Sequence, residues 1–176
     1  ERLMYKNITY GNSSGAYNIK DEATALRRME AANSLFLTIP GPKMIWQFGE
    51  LGYEISIDSM GRVGEKPVKW NYLDDDRRTN LYKVYAALAK LKIDYDAFST
   101  DNFTLDVGNF MKKINLYHSS MDVFIVGNFG VYEFTTNQNF TRSGWWYDYF
   151  SGDSVNVTNL TASITLPPGD FRIYTT

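Results

Sequence analysis

Trp46, Gln47 and Glu50 lie within one stretch of the chain, Pro40 to Tyr53, that reads Pro-Gly-Pro-Lys-Met-Ile-Trp-Gln-Phe-Gly-Glu-Leu-Gly-Tyr. Chemically this is a buried strand that delivers an aromatic, an amide and a carboxylate to a loop. At the carboxyl end of a strand in an α/β sheet, such a loop is where ligands sit. Arg62 and Lys66 are the basic groups of the segment that follows, and Trp70 is its next large aromatic. Glu50 has a second reading, as a carboxylate that holds the loop through backbone amides or pairs with Arg2. Trp70 likewise either stacks on a ligand or packs beneath the loop. Asp74-Asp75-Asp76 lacks the spaced oxygen donors of a calcium loop and reads as a charge run starting a helix. His118 alternates with apolar neighbours and reads as a core histidine. Trp145-Trp146-Tyr147 offers a flat aromatic platform, but successive residues of a strand face opposite ways, so at least one belongs to the core.

Composition narrows the chemistry further. The chain has no cysteine and one histidine, which excludes disulfides, thiol catalysis, thiolate metal sites and multi-histidine clusters. A net charge of −2 without a basic block gives no footprint for nucleic acid. No apolar run approaches the ~20 residues of a membrane span. The 13 Tyr, 11 Phe and 4 Trp are the outlier, fitting a β-rich core and surfaces that stack on pyranose rings. Asn-x-Ser/Thr sequons start at Asn7, Asn12, Asn102, Asn139, Asn156 and Asn159.

Two kinds of element must position these residues. Ala25, Met29, Ala32, Phe36 and Ile39 recur at helical steps, which predicts a helix over 22–39 with Asp21 as N-cap and Pro40-Gly41-Pro42 as its stop. The apolar run Met44 to Phe48 predicts a short buried strand over 43–48, followed by a long loop to residue 76. Leu81, Val84, Tyr85, Leu88 and Leu91 predict a second helix over 78–93. From about Asp94 the period becomes two. Short strands are expected near 103–107, 113–118, 121–126, 131–135, 145–150, 154–158, 160–166 and 171–175, an antiparallel arrangement. The fold class is therefore α/β followed by all-β, divided near residue 95.

The succession of these segments resembles the C-terminal part of the α-amylase superfamily of glycoside hydrolases. Helix 22–39, strand 43–48 and Gly49-Glu50 are similar to the end of that family's (β/α)8 TIM barrel. Lys66-Pro67-x-x-Trp70 resembles an Arg-x-Pro-x-x-Trp loop, departing from it at Lys66. Leu81-Tyr82-x-x-Tyr85-x-x-Leu88 resembles the final barrel helix. Trp146 to Gly152 and Leu166 to Phe171 resemble two late segments of the appended β-sandwich.

The resemblance implies the tail of a catalytic barrel in residues 1–95 and a C-terminal antiparallel β-sandwich in 96–176. It implies that the catalytic carboxylates, and a further Asp in a His-Asp pair, lie upstream of Glu1, with none in this chain. The substrate-side residues would be Trp46, Glu50, Arg62 and Trp70. The substrate would be an α-glucan poly- or oligosaccharide, and the remaining partner the N-terminal part of the same barrel. No cofactor is implied. Calcium is allowed in a longer parent, but no site for it, and no other metal site, is read here. Hydrolysis and branching transglycosylation share this chemistry, and a non-catalytic carbohydrate-binding or structural sandwich is the other alternative. A polymeric substrate too large to import points to a secreted or periplasmic setting.

Overall fold

The computed structural model describes residues 2–176. Two helices fall where the apolar stripes place them. α2 spans Glu22–Thr38, and the Asp21 carboxylate accepts the Thr24 amide at 3.0 Å as its N-cap. Ile39, the residue before Pro40, is extended and ends the helix. α3 spans Asp76–Asp94, with Asp75 as N-cap accepting from the Arg77 amide. Of the three aspartates, Asp74 ends a 3-10 turn, Asp75 caps α3 and Asp76 begins it. Two small elements carry no strong periodicity and were not foreseen: α1, Leu3–Tyr10, and a hairpin of β1, Ser13–Ser14, with β2, Tyr17–Asn18. Among the described residues no helix is long and apolar enough to cross a membrane.

The strand expected over 43–48 does not form. Met44 is 80% exposed and Trp46 60%, and no strand of the described residues pairs with this segment. The cause is the absence of neighbours: an extended backbone needs a hydrogen-bonding strand alongside before it is a sheet element. The segment closes instead in a turn with Phe48 at φ 55°, followed by the 3-10 turn Gly49–Leu51.

The second half is antiparallel throughout. Its strands are β3 Phe103–Asp106, β4 Met111–Leu116, β5 Val123–Asn128, β6 Phe134–Asn137, β7 Gly144–Asp148, β8 Ser154–Val157, β9 Ser163–Leu166 and β10 Phe171–Thr175. Six of them form one sheet in the order β3-β4-β5-β10-β7-β8, and β6 pairs with β9 in a second. The register sets Ile114 and Ile173 on either side of Ile125. Alternation then divides the side chains between two cores. Ile114, Leu116, Val123, Ile125 and Ile173 meet Ala25, Leu26, Met29, Leu81 and Leu88 of the helices. Phe124, Val126 and Trp146 meet Ile164 and Leu166 of the small sheet. The layers are therefore helices, large sheet, small sheet.

The proposed division at residue 95 falls just after α3, yet the first core runs across it. Ala25 and Met29 of the stripe are buried there, while Phe36, further along the stripe, stays exposed. Arg28 joins the layers by donating to the carbonyls of Phe129 at 2.9 Å and Gly130 at 3.1 Å. His118 is not a core histidine: it lies past the end of β4, half-buried, with its ring on the Ser120 hydroxyl. Trp146 is the core member of its aromatic run, with Trp145 and Tyr147 exposed. Asn7 is buried in α1, which sets its sequon apart from the exposed one at Asn12.

Candidate functional site

The loop between α2 and α3 is built around four buried rings and side chains: Phe48, Leu51, Tyr53 and Tyr72. Phe48, whose ring is buried, holds its backbone in the left-handed region at φ 55°, a conformation that costs a non-glycine residue free energy. Gly52, at φ 71°, carries the next reversal, and a Cβ there would meet the Leu26 side chain at 2.5 Å. Glycine is required at this position on both counts.

Arg78 fastens the loop to α3. It is buried, and its guanidinium donates to the carbonyls of Leu51 and Gly52 at 2.9 Å each and to Glu22 at 2.5 Å. It also lies 3.9 Å above the Tyr72 ring and 3.3 Å from Glu54. The Tyr72 hydroxyl donates to Glu54 at 2.6 Å; burial first, then that carboxylate, push its pKa upward. Sequence reasoning passed over Arg78. Its signal was its position three residues before Leu81, on the buried stripe of the helix.

Around this frame the exposed groups collect. Trp46, Gln47 and Glu50 line an open groove of about 430 Å3 with Tyr82 and Tyr85 of α3. Burial raises the Tyr85 phenol to about 12; a hydrogen bond with Asn33 opposes this and the Glu50 charge adds to it. Tyr85 therefore keeps its proton across the neutral range. On the other side of Trp46, a hollow of about 440 Å3 is lined by Arg2, Arg62 and Lys66. Arg62 is highly exposed and reaches Asp58 at 3.8 Å. Lys66 is spent on the loop itself: its ammonium donates to the carbonyls of Ser59, Gly61 and Gly64. Trp70 is 69% exposed and packs edge-on against Phe48 with centroids 5.0 Å apart. Trp46 is thus shared between the Glu50 groove and the Arg62 hollow, while Trp70 is attached through Phe48.

This arrangement can stack on an apolar ring face and hydrogen-bond hydroxyls. Neither hollow is lined by a second carboxylate among the described residues. Glu54, the next acidic side chain, is engaged by Tyr72 and Arg78.

No protein-family model matches the sequence, and no curated protein matches it. Solved structures do. AmyP in complex with maltose superposes with a TM-score of 0.71 at 16% identity, covering 94% of this chain and 36% of that chain. CldA, a cyclomaltodextrin glucanotransferase, gives 0.68 at 18%, covering 94% and 35%. The α-amylase of Geobacillus thermoleovorans, complexed with acarbose, gives 0.65 at 15%, covering 89% and 35%. This chain spans little more than a third of the length of the chains it matches. At these identities the likeness establishes fold alone: the chain folds as part of these amylase and glucanotransferase chains does.

Proposed function

We propose that the chain is the C-terminal part of a retaining, α-glucan-active glycoside hydrolase of α-amylase type, and that alone it turns over no glucan. The observation that carries this reading is the fold match, which takes in 94% of this chain and 36% of AmyP. Retaining chemistry needs two carboxyl groups about 5 Å apart across the glycosidic bond. The loop's grooves offer Glu50 without a second carboxylate among the described residues, which suits substrate contact rather than bond cleavage. In this reading Trp46 and Trp70 stack on glucose rings, and Glu50 and Arg62 hydrogen-bond their hydroxyls. Maltose and acarbose in the matched structures support an α-glucan as the ligand class.

Transfer to an acceptor sugar is the second reading, favoured by the glucanotransferase among the matched structures. The reading frame immediately before Glu1 tests the main proposal: it should encode a His-Asp pair. The purified 176-residue chain should release no reducing sugar from soluble starch. Turnover by this chain, abolished by a point change within it, overturns the assignment. In the longer protein, Glu50→Ala or Trp70→Ala should raise KM or lower kcat with Tm nearly unchanged. A large loss of Tm with normal kinetics would make both residues structural.

A further inference from the structure

A third hollow, of about 300 Å3, lies on the β-sandwich between the β3–β4 turn and β6, in a part of the fold separate from the Trp46 loop. We propose that it binds a saccharide, with Phe110 as the stacking surface and Lys113, Asp106 and Thr136 taking the hydroxyls. The choice of α-1,4-linked glucose as ligand rests on the proposed function above; the site itself does not.

The stacking surface is built in advance. Phe110 is 61% exposed, yet its turn is tied at both ends. The Lys112 ammonium donates to the carbonyls of Val107 at 2.7 Å and Asn109 at 3.1 Å. The Phe129 amide donates to the Phe110 carbonyl at 2.8 Å. The Phe110 ring stacks on Phe134, with centroids 5.5 Å apart and planes at 25°. Phe134 in turn lies against Gly130, where an added Cβ would come within 2.5 Å of the ring. The glycine is thus the space in which the aromatic shelf rests. An exposed ring fixed in this way loses little conformational entropy on binding.

The polar side is unusual for a sandwich core. Lys113 points between the sheets with its side chain only 9% exposed. Its ammonium reaches Thr136 Oγ1 at 3.3 Å and Asp106 at 3.4 Å. Both distances are long against the ~2.7–2.9 Å of a charge-assisted bond, and an ammonium has three protons to donate. A ligand hydroxyl on the open side of the pair can therefore bridge it, accepting from the ammonium and donating to the half-exposed Asp106 carboxylate. The adjacent opposite charges disfavour an anion or a cation. A neutral molecule with one flat C–H face and several hydroxyls matches the whole lining.

The test is an NMR titration of the intact 176-residue chain with maltotriose, using cellotriose and inorganic phosphate as comparators. Maltotriose should shift the amides of 106–113 and 134–136 saturably. Phe110→Ala, at an exposed position, should leave Tm unchanged and weaken binding about tenfold. Lys113→Met should weaken it as well, provided the variant's spectrum stays folded; the Phe110 variant decides the matter if it does not. Absence of shifts with either sugar, shifts confined to 45–66 or 145–147, binding of phosphate alone, or affinity unchanged in Phe110→Ala overturns the site and leaves the proposed function standing. Equal binding of cellotriose at the same amides overturns the α-glucan assignment of the site.

Discussion

Two short apolar runs, Met44 to Phe48 and Val123 to Val126, invite the same reading from sequence, yet the structure treats them in opposite ways. The second is β5, paired with β4 on one edge and β10 on the other. Val123 and Ile125 face the helices, and Phe124 and Val126 face the small sheet, so the run is buried on both sides. The first has no strand beside it among the described residues, and Met44, Ile45 and Trp46 are exposed. Hydrophobicity marks a segment that gains free energy on burial. Whether it becomes a strand depends on edges that can satisfy its backbone. In the proposed function, those edges for 43–48 belong to the part of the barrel outside this chain.

The largest effect should come from separating the layers. A chain of residues 96–176 loses the helices that cover Ile114, Leu116, Val123, Ile125 and Ile173. Each fully exposed side chain forgoes ~1.5–3 kcal/mol, a sum comparable with the ~5–15 kcal/mol stability of a whole domain. Urea unfolding and size-exclusion chromatography should find the truncated chain uncooperative or self-associated. A monomeric, cooperative 96–176 would show that the Phe124–Trp146 core suffices by itself.

Next in size is a direct contrast of the two runs. Phe124→Ala should lower the unfolding free energy by ~3–5 kcal/mol through loss of a buried ring, whereas Trp46→Ala should change it by no more than ~0.5 kcal/mol. Similar losses from both would mean that the 44–48 segment is docked in solution. Arg78→Met should cost ~2–3 kcal/mol, because it strips charged donors from the Leu51 and Gly52 carbonyls and from Glu22. Hydrogen exchange should rise first at 49–54.

The smallest effect is a pH dependence. Hydrogen bonding from the Arg77 side chain, above all, holds the Asp75 carboxyl at about 2 against an ordinary 3.8. A lowered carboxylate stabilises the fold above its ordinary value, and that contribution fades as pH falls from 3.8 toward 2. Asp75→Asn should therefore be less stable than the parent chain near neutrality, with the difference closing at acid pH. Solvent screening keeps it modest, because the pair is partly exposed. A difference that is constant with pH would assign the effect to capping alone.

Much of the architecture was legible because it is local. The stripes of α2 and α3, the Asp21 cap, the helix-start charge run at 74–76, the proline stop and the period-two pattern after residue 95 are decided within a few residues of backbone. The same alternation required at least one of Trp145, Trp146 and Tyr147 to be core, and the packing makes it Trp146. Elements whose state depends on distant residues were misread or missed. The 43–48 strand lacked a neighbour, and His118 fell past a strand end that only the β4–β5 register defines. Arg78 is a clamp only because Leu51, Gly52 and Glu22 converge on it from segments more than twenty residues away.

The candidate site divides along the same line. Sequence alone supplied the chemistry of Trp46, Glu50, Arg62 and Trp70, since side-chain type needs no fold to be read. The tertiary structure decided their company: Trp46 stands between Glu50 and Arg62, Trp70 leans on Phe48, and Lys66 is consumed by its own loop. It also brought Thr136 of β6 to Phe110 and Lys113, which lie more than twenty residues earlier in the chain. Helix caps and periodicity are set by neighbours along the chain, whereas a site is set by which backbone edges and faces find partners across it, and that is a property of the packed whole.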